Sequence, residues 1–230
     1  MTGTLLNVGT VLAGTLLGTL AGGRLPEGLQ QRVLAGLGLV TLVIGIDSAL
    51  AWRETSPLYV LSGVLLGGIA GEAIGIERRL EALGDRIQAA VSRSRPSQVS
   101  EGFVTASLLF CVGPLTVLGS IEDGLTDGYT QLATKAVLDG FASIALAAAL
   151  GWGVGLAAVS VLVIQGAITL GAGAFDSVLE GETLDVLTSA GGILIIGISL
   201  KLLDIRDVKV GNFLPALVLA PAIYGVASLF

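Results

Sequence analysis

Lys135 and Asp139 stand four residues apart inside the apolar stretch QLATKAVLDGFASIALAAAL, Gln131 to Leu150. At that spacing both side chains leave the same face of a helix, and Ser143 follows one turn further on. A charged group turned to hydrocarbon costs about 2.5 to 3.5 kcal/mol. Such a pair is therefore expected to face protein or a polar cavity, where the acid can bind a small cation or exchange a proton. If the helix begins at Thr130, an N-cap candidate, Asp139 lies about 13 Å deep at 1.5 Å per residue. That is near the middle of a hydrocarbon core about 30 Å thick.

The preceding apolar run, FVTASLLFCVGPLTVLG, is interrupted by Gly113-Pro114. A proline inside a helix removes one hydrogen bond and crowds the carbonyl four residues back, here that of Phe110. A helix broken there would present the Phe110 carbonyl beside Asp139, with Ser107, Cys111, Gly113 and Thr116 lining the same level. Gln165 lies at a similar depth in a later apolar run. Asp139, Lys135, Gln165, Thr116, Ser107, Cys111, Gly113, Pro114 and Ser143 are thus the candidate solute-binding residues, with oxygen ligands for a small ion or a proton-exchanging carboxylate. The structural alternatives are an ion pair between Lys135 and Asp139 and a plain interhelical hydrogen bond from Gln165. Glu122 and Asp123, in the polar turn GSIEDGLTDG, would form either a cation-concentrating entrance or a solvated loop; the spacing does not fit a calcium loop.

The elements that must position these groups are membrane helices. Mean hydropathy is +0.89, and 53% of residues are hydrophobic while 13% are charged, against about 25% charged in soluble domains. Eight runs can span: about Leu5 to Gly22, Val33 to Ala51, Pro57 to Ile74, Phe103 to Gly119, Gln131 to Leu150, Leu156 to Ala174, Leu187 to Leu203 and Asn212 to Leu229. Only GWGVG, Gly151 to Gly155, divides the fifth from the sixth. With the long polar loop inside, Arg24, Arg32, Arg78, Arg79, Arg86, Arg93, Arg95, Lys201, Arg206 and Lys209 fall inside and only Arg53 and Lys135 outside, as the positive-inside rule asks. Glu122, Asp123, Asp127, Asp176, Glu180 and Glu182 collect outside, with both termini. Met1 to Asn7 carries no Lys or Arg, so the first run reads as a retained span and not a cleaved signal.

The chain reads as one membrane domain, residues 1–230: a first three-helix arm (1–75), a linker helix (76–101), a central broken-helix pair (102–150) and a second three-helix arm (156–230). A shift of 152 residues lays the first arm on the last three spans, Gly14 on Gly166 and Ile44-Gly45-Ile46 on Ile196-Gly197-Ile198. Five spans separate equivalent helices, so the arms would run in opposite directions, as inverted repeats do. In the linker, Ile76, Leu80, Leu83, Ile87 and Val91 form an apolar stripe opposite Arg78, Arg79 and Arg86, suited to an anionic membrane surface or to a simple connector. Gly14, Gly18 and Gly22 in the first span, and Gly63, Gly67 and Gly71 in the third, make smooth strips for intramolecular packing or a homo-oligomer seam. Glu72 and Lys201 could pair, and Asp47 lies near the outer boundary.

The chain has no His and a single cysteine, Cys111, which excludes a His/Cys zinc site and an internal disulfide. It has no phosphate loop and no nucleophile dyad. No enzymatic activity, metal, cofactor or nucleic-acid partner is expected.

The segments GTLLNVGTVLAG, GLGLVTLVIGIDSAL, GFVTASLLFCVGPLTVLGSIEDGL, LATKAVLDGFASIALAAALG, VIQGAITL and GNFLPALVLAP resemble the YqgA/YdfK family of bacterial and archaeal membrane proteins, grouped as domain of unknown function 554. The resemblance covers essentially the whole chain and implies an architecture without an established activity. The expectation is an all-α polytopic protein of the cytoplasmic (inner) membrane, with about eight transmembrane helices and an inverted repeat of two three-helix arms around a central pair. Its partners would be the lipid bilayer, a small ion or polar solute, and a second copy of itself. The leading functional expectation is a secondary transporter or channel, proton-coupled through Asp139. The alternative is a non-transporting structural or sensory protein that self-associates through its glycine faces.

Overall fold

The computed structural model describes residues 1–22, 26–91, 96–126, 128–175 and 181–228. Its elements are α1 (Thr2–Gly22), α2 (Glu27–Ala49) with a 3-10 extension (Leu50–Glu54), α3 (Pro57–Ile74), α4 (Ile76–Val91), α5 (Pro96–Cys111), α6 (Pro114–Leu125) and α7 (Thr130–Leu150). After a 3-10 turn (Trp152–Leu156) come α8 (Ala157–Leu170), a short α9 (Ala172–Phe175), α10 (Gly181–Leu202), a second 3-10 turn (Val210–Phe213) and α11 (Ala216–Ala227). No strand occurs among the described residues.

Local chemistry sets the breaks. Ser56 caps α3, its side chain accepting from the Leu58 N–H at 3.4 Å, and Pro57 takes the first turn, where its missing N–H costs nothing. Gly151, at φ 80°, turns the chain between α7 and α8 inside GWGVG. Gly113 adopts φ 156° and ψ 156°, a region essentially reserved for glycine, and Pro114 restarts the helix, so the axes of α5 and α6 meet at a 62° bend. Among the described residues, seven helical stretches are long and apolar enough to cross a membrane, and the bent α5–α6 pair makes an eighth when taken as one span.

The exterior is apolar, and polar side chains lie inside among the apolar ones. Leu16, Leu39, Val43, Ile69, Phe141 and Val218 are exposed, while Thr4, Asn7, Thr41, Ser143 and Gln165 are buried. That inversion follows from a hydrocarbon solvent, which welcomes leucine outside and forces polar groups inward. α1 packs chiefly on α7, α2 on α10 and α3 on α11. Phe110, Leu146, Val154, Val161 and Ile198 belong to the main apolar core.

Both glycine strips are taken up within the chain. Gly14, Gly18 and Gly22 lie against the carbonyls of Gly140, Ile144 and Ala148 on α7, and Gly63, Gly67 and Gly71 against Ala220, Ala216 and Asn212. The intramolecular alternative therefore accounts for them.

Three expectations change. The fourth span reaches from α5 through Leu125, so most of Gly119 to Gly128 is helix and not a loop. The seventh starts at Gly181 rather than Leu187, because the polar residues Glu182 and Asp185 still fit its first turns. Glu72 accepts from Asn212 Nδ2 at 2.6 Å, and Lys201 lies 3.7 Å from Asp207, so those two do not pair. α4 exposes Arg78, Arg79 and Arg86 and rests Leu80 on the core, but it also buries Glu77. Arg24, Arg93, Arg95, Asp127, Asp176 and Glu180 lie outside the described residues, as do the side chains of Ile87, Val91 and Pro114.

Candidate functional site

A cavity of about 600 Å³ opens between α2, the α5–α6 bend and α7. Its polar groups are Lys135 and Asp139 from α7, Thr116 from α6, and Thr41, Asp47 and Ser48 from α2, among mostly apolar walls. Gly113, at the bend, also lines it. Val40, Ile44, Leu138 and Phe141 contribute to its wall and are exposed on the outer surface, so the cavity is reached from the side of the bundle.

Lys135 and Asp139 are only 6% and 7% exposed and form the i,i+4 ion pair, Lys135 Nζ bonding Asp139 Oδ2. The same carboxylate oxygen accepts from Asn7 Nδ2 on α1 at 2.9 Å. The Lys135 ammonium also lies 6.0 Å from the Phe110 ring centroid, within cation–π range. The two charges are therefore paired, with the Asn7 amide on the carboxylate and the Phe110 ring beside the ammonium. A neutral solute carrying both a donor and an acceptor can exchange for the partners of such a pair without moving net charge through the core, whereas a proton added to the carboxylate leaves the ammonium unpaired.

The other sequence candidates divide. The Phe110 carbonyl does not turn to Asp139: Thr116 Oγ1 donates to it at 3.0 Å, so the hydroxyl next to the break replaces the bond the proline removed. Ser107 hydrogen-bonds Ser160 of α8 at 2.9 Å. Cys111 is half-buried, Ser143 packs against Gly14, and Gln165 is fully buried; none of these lines the cavity.

Glu122 and Asp123 serve as caps. Glu122 Oε2 accepts from the Gln131 N–H at 3.1 Å at the start of α7. Asp123 accepts from the Gly3 and Thr4 N–H groups, each at 3.2 Å, and pairs with the Met1 ammonium at 3.0 Å. Carboxylates at helix N-termini satisfy orphan N–H donors and favour the dipole.

Sequence reasoning missed Asn7 and the α2 groups Thr41 and Ser48. The available signal for Asn7 was a strongly polar residue in the first apolar run. For the α2 groups there was none, since only the fold brings α2 to α7.

At the other end of the bundle, Glu77 joins α4 to the turn before α11. Its Oε2 accepts from the Gly211 N–H at 2.5 Å and its own N–H donates to Asn212 Oδ1 at 2.8 Å. Burial pushes the Glu77 carboxyl above the ordinary range, against the opposing pull of the Gly211 N–H, Lys201 and Lys209. Lys209 bonds Glu81 at 3.2 Å, which raises the lysine. A second, polar cavity of about 440 Å³ lies here, lined by Glu81, Asp85, Ser100, Glu101, Lys201, Asp204, Arg206 and Asp207. Among the described residues, no three His, Cys, Asp or Glu side chains are grouped to hold a metal ion.

The fold defines a multi-pass, all-helical membrane protein. The chain belongs to the family described as "Protein of unknown function (DUF554)", which matches residues 2–225. It is 32% identical over 232 residues to "Uncharacterized membrane protein YdfK" of Bacillus subtilis (strain 168), covering 100% of this chain and 98% of that protein. It is 29% identical over 222 residues to "Uncharacterized protein YqgA" of Escherichia coli (strain K12), covering 95% and 94%. No solved structure matches the chain.

Proposed function

We propose that this protein moves a small ion or polar solute across the cytoplasmic membrane, as a secondary transporter or channel, with Asp139 as the ionisable group and Lys135 as its partner. One observation carries the reading: the Lys135–Asp139 pair lines a cavity beside a helix break instead of being sealed in packed side chains. Intramembrane ionisable groups beside discontinuous helices are where such proteins bind their cargo. Because Lys135 already neutralises Asp139, a bare metal cation would have to displace an ammonium. A solute with both donor and acceptor groups only has to exchange with it, and a proton bonds the carboxylate covalently while leaving the Lys135 charge to be met by the solute. Protonating Asp139 frees Lys135 for the solute, and deprotonation restores the pair, which couples the two movements. The reading assigns no catalytic role and no cofactor.

An inverted repeat fits the same reading. Gly63 meets Ala220, Gly67 meets Ala216 and Gly71 meets Asn212. This antiparallel register sets Leu65 and Leu66 level with Val218 and Leu217, their own equivalents under the 152-residue shift. Gly45 likewise meets Ile196, with Ile44-Gly45 level with Ile196-Gly197. Thr4 meets Thr169 and Thr15 meets Gly155, which puts Thr10 about level with Leu162. A two-fold axis in the membrane plane requires all three coincidences. By the positive-inside rule the α4 end faces the cytoplasm and the Asp123 end faces out.

The second reading is structural, and the Asn7–Asp139 bond favours it: the pair would be a strut fixing α1 to α7. Flux in proteoliposomes separates the two. Purified protein is challenged with gradients of protons, monovalent and divalent cations, small anions and amino acids, beside the double variant Lys135→Met/Asp139→Asn. That exchange removes both charges together, so it avoids stranding one of them in the core. The expected result is a solute-specific, proton-dependent flux in the wild type that the folded double variant lacks. An undiminished flux in the variant would sink the mechanism, and a folded wild type without flux under any gradient would leave the strut.

A further inference from the structure

We propose that Asn7, Ser120 and Gln165 form a second, closed site behind Asp139, on the α1 side, and that it holds one bound water. All three side chains are 0% exposed. Between them they present four polar atoms without a hydrogen-bond partner: Asn7 Oδ1, Ser120 Oγ, and both Oε1 and Nε2 of Gln165. Buried polar atoms are nearly always paired in native proteins, and water in a hydrocarbon-embedded core is found where several such atoms converge.

Their convergence follows from the helix register. Near the Asp123 end, three helices are tied at one level: Thr4 Oγ1 lies 3.3 Å from Thr169 Oγ1, Asp123 accepts from Thr4 Oγ1 at 3.3 Å, and Gly124 packs on the Thr169 carbonyl. One turn deeper on the same faces, three or four residues on, stand Asn7 on α1, Gln165 on α8 and Ser120 on α6. The site is thus the next layer below an established contact layer.

Its chemistry selects a neutral ligand. Asn7 Nδ2 donates to the Asp139 carboxylate, which fixes the amide and leaves Oδ1 as an acceptor. Gln165 offers one donor nitrogen and one acceptor oxygen, and the Ser120 hydroxyl can be either. Two acceptors, a donor and an adaptable hydroxyl match a water. A cation would add net charge beside an ion pair that is already neutral, at a large desolvation cost. Asn7 then links the water to the Asp139 carboxylate.

Two measurements test this, and neither uses solute flux, so the transport reading can fail without touching them. In a crystal structure at a resolution that orders buried waters, a density peak within hydrogen-bond reach of Gln165, Asn7 and Ser120 is expected. A direct bond from Gln165 to Asn7 or Ser120 with no peak between them would overturn the site. In the intact protein in nanodiscs, Gln165→Leu and Ser120→Ala should each lower the thermal midpoint by about 2 to 4 °C. The double variant should lose less than the two shifts added, because both act through one shared water. A midpoint raised by Gln165→Leu would mean a dry, unpaired amide and refute the proposal. A midpoint that depends on sodium, potassium or choline at fixed ionic strength would make the ligand an ion, and would refute it equally. Should Gln165→Leu not fold, the wild-type density decides alone.

Discussion

Along α3, Gly63, Gly67 and Gly71 press on Ala220, Ala216 and Asn212; along α1, Gly14, Gly18 and Gly22 press on the Gly140, Ile144 and Ala148 carbonyls of α7. The spacing and the closeness of approach are alike, but what the two seams enclose is not. Beside the first are Val60, Val186, Ala190 and Ala220, with Tyr59 and Tyr224 edge to face at 5.4 Å. Beside the second are Asn7, Lys135, Asp139 and Ser143, all buried, with a cavity on the far side of the pair. Close backbone approach excludes lipid from both seams. Where the enclosed groups are apolar apart from Asn212, which is bonded to Glu72 and the Glu77 N–H, the result is a fixed joint. Where charges are enclosed, the same closeness makes their partners obligatory.

The sharpest way to break this comparison is to strand one charge in the α1–α7 seam. Lys135→Met leaves Asp139 buried with only Asn7, and should cost about 3 to 5 kcal/mol. Lys135→Met/Asp139→Asn should recover most of that. Unfolding of both variants in nanodiscs checks it, and a single variant within 1 kcal/mol or so of wild type would mean that the pair is screened by water and the seam is not closed.

The apolar seam is broken by bulk instead of charge. A Cβ on Gly71 would overlap the Asn212 carbonyl, a backbone atom that cannot step aside, so Gly71→Ala should cost about 1 to 3 kcal/mol. Gly18→Ala should do the same against the Ile144 carbonyl. Equal losses at the two positions would show that the packing device is common to both seams and that only their contents differ.

Much of this was legible in the chain itself. The apolar runs located the spans, Gly113-Pro114 located the bend and GWGVG the division of α7 from α8, because each depends on local composition or on one residue's backbone. The Lys135–Asp139 pair was legible for the same reason, both partners being on one helix. Contacts across helices were not. Asp123 and Glu122 look like a solvated acidic turn until α1 and α7 are seen to begin beside them. Phe110 looks like a freed carbonyl until Thr116 is seen to bond it. Asn7 reaches Asp139 through a helix pairing that no periodicity encodes.

At the α4 end, charge is held by backbone in place of a lysine, which gives a smaller, pH-dependent effect. Glu77 titrates above its ordinary value near 4.5 in the folded protein. The folded state therefore binds more protons than the unfolded chain between the two values, and the Glu77 contribution is fully present below the lower one. It is lost as pH rises through the higher. Glu77→Gln keeps an acceptor for the Gly211 N–H and removes the titration. Its thermal midpoint should rise relative to wild type at pH 8 and approach it at pH 5, and a gap independent of pH would place the cause elsewhere.

The smallest effect is expected where α1 turns a glycine away from both seams. Gly9 has nothing within 4 Å of an added Cβ, although it sits between Gly3 and Gly14, which do. Gly9→Ala removes backbone freedom from the unfolded chain and meets no obstacle in the folded one, so it should stabilise by about 0.4 to 1 kcal/mol. Measured beside Gly18→Ala, it makes the sign of the change report which face of α1 is packed. A loss at Gly9 as large as at Gly18 would mean that a further surface, in lipid or on a second copy, closes on the outer face of α1, and the contrast between seam and exterior would have to be redrawn.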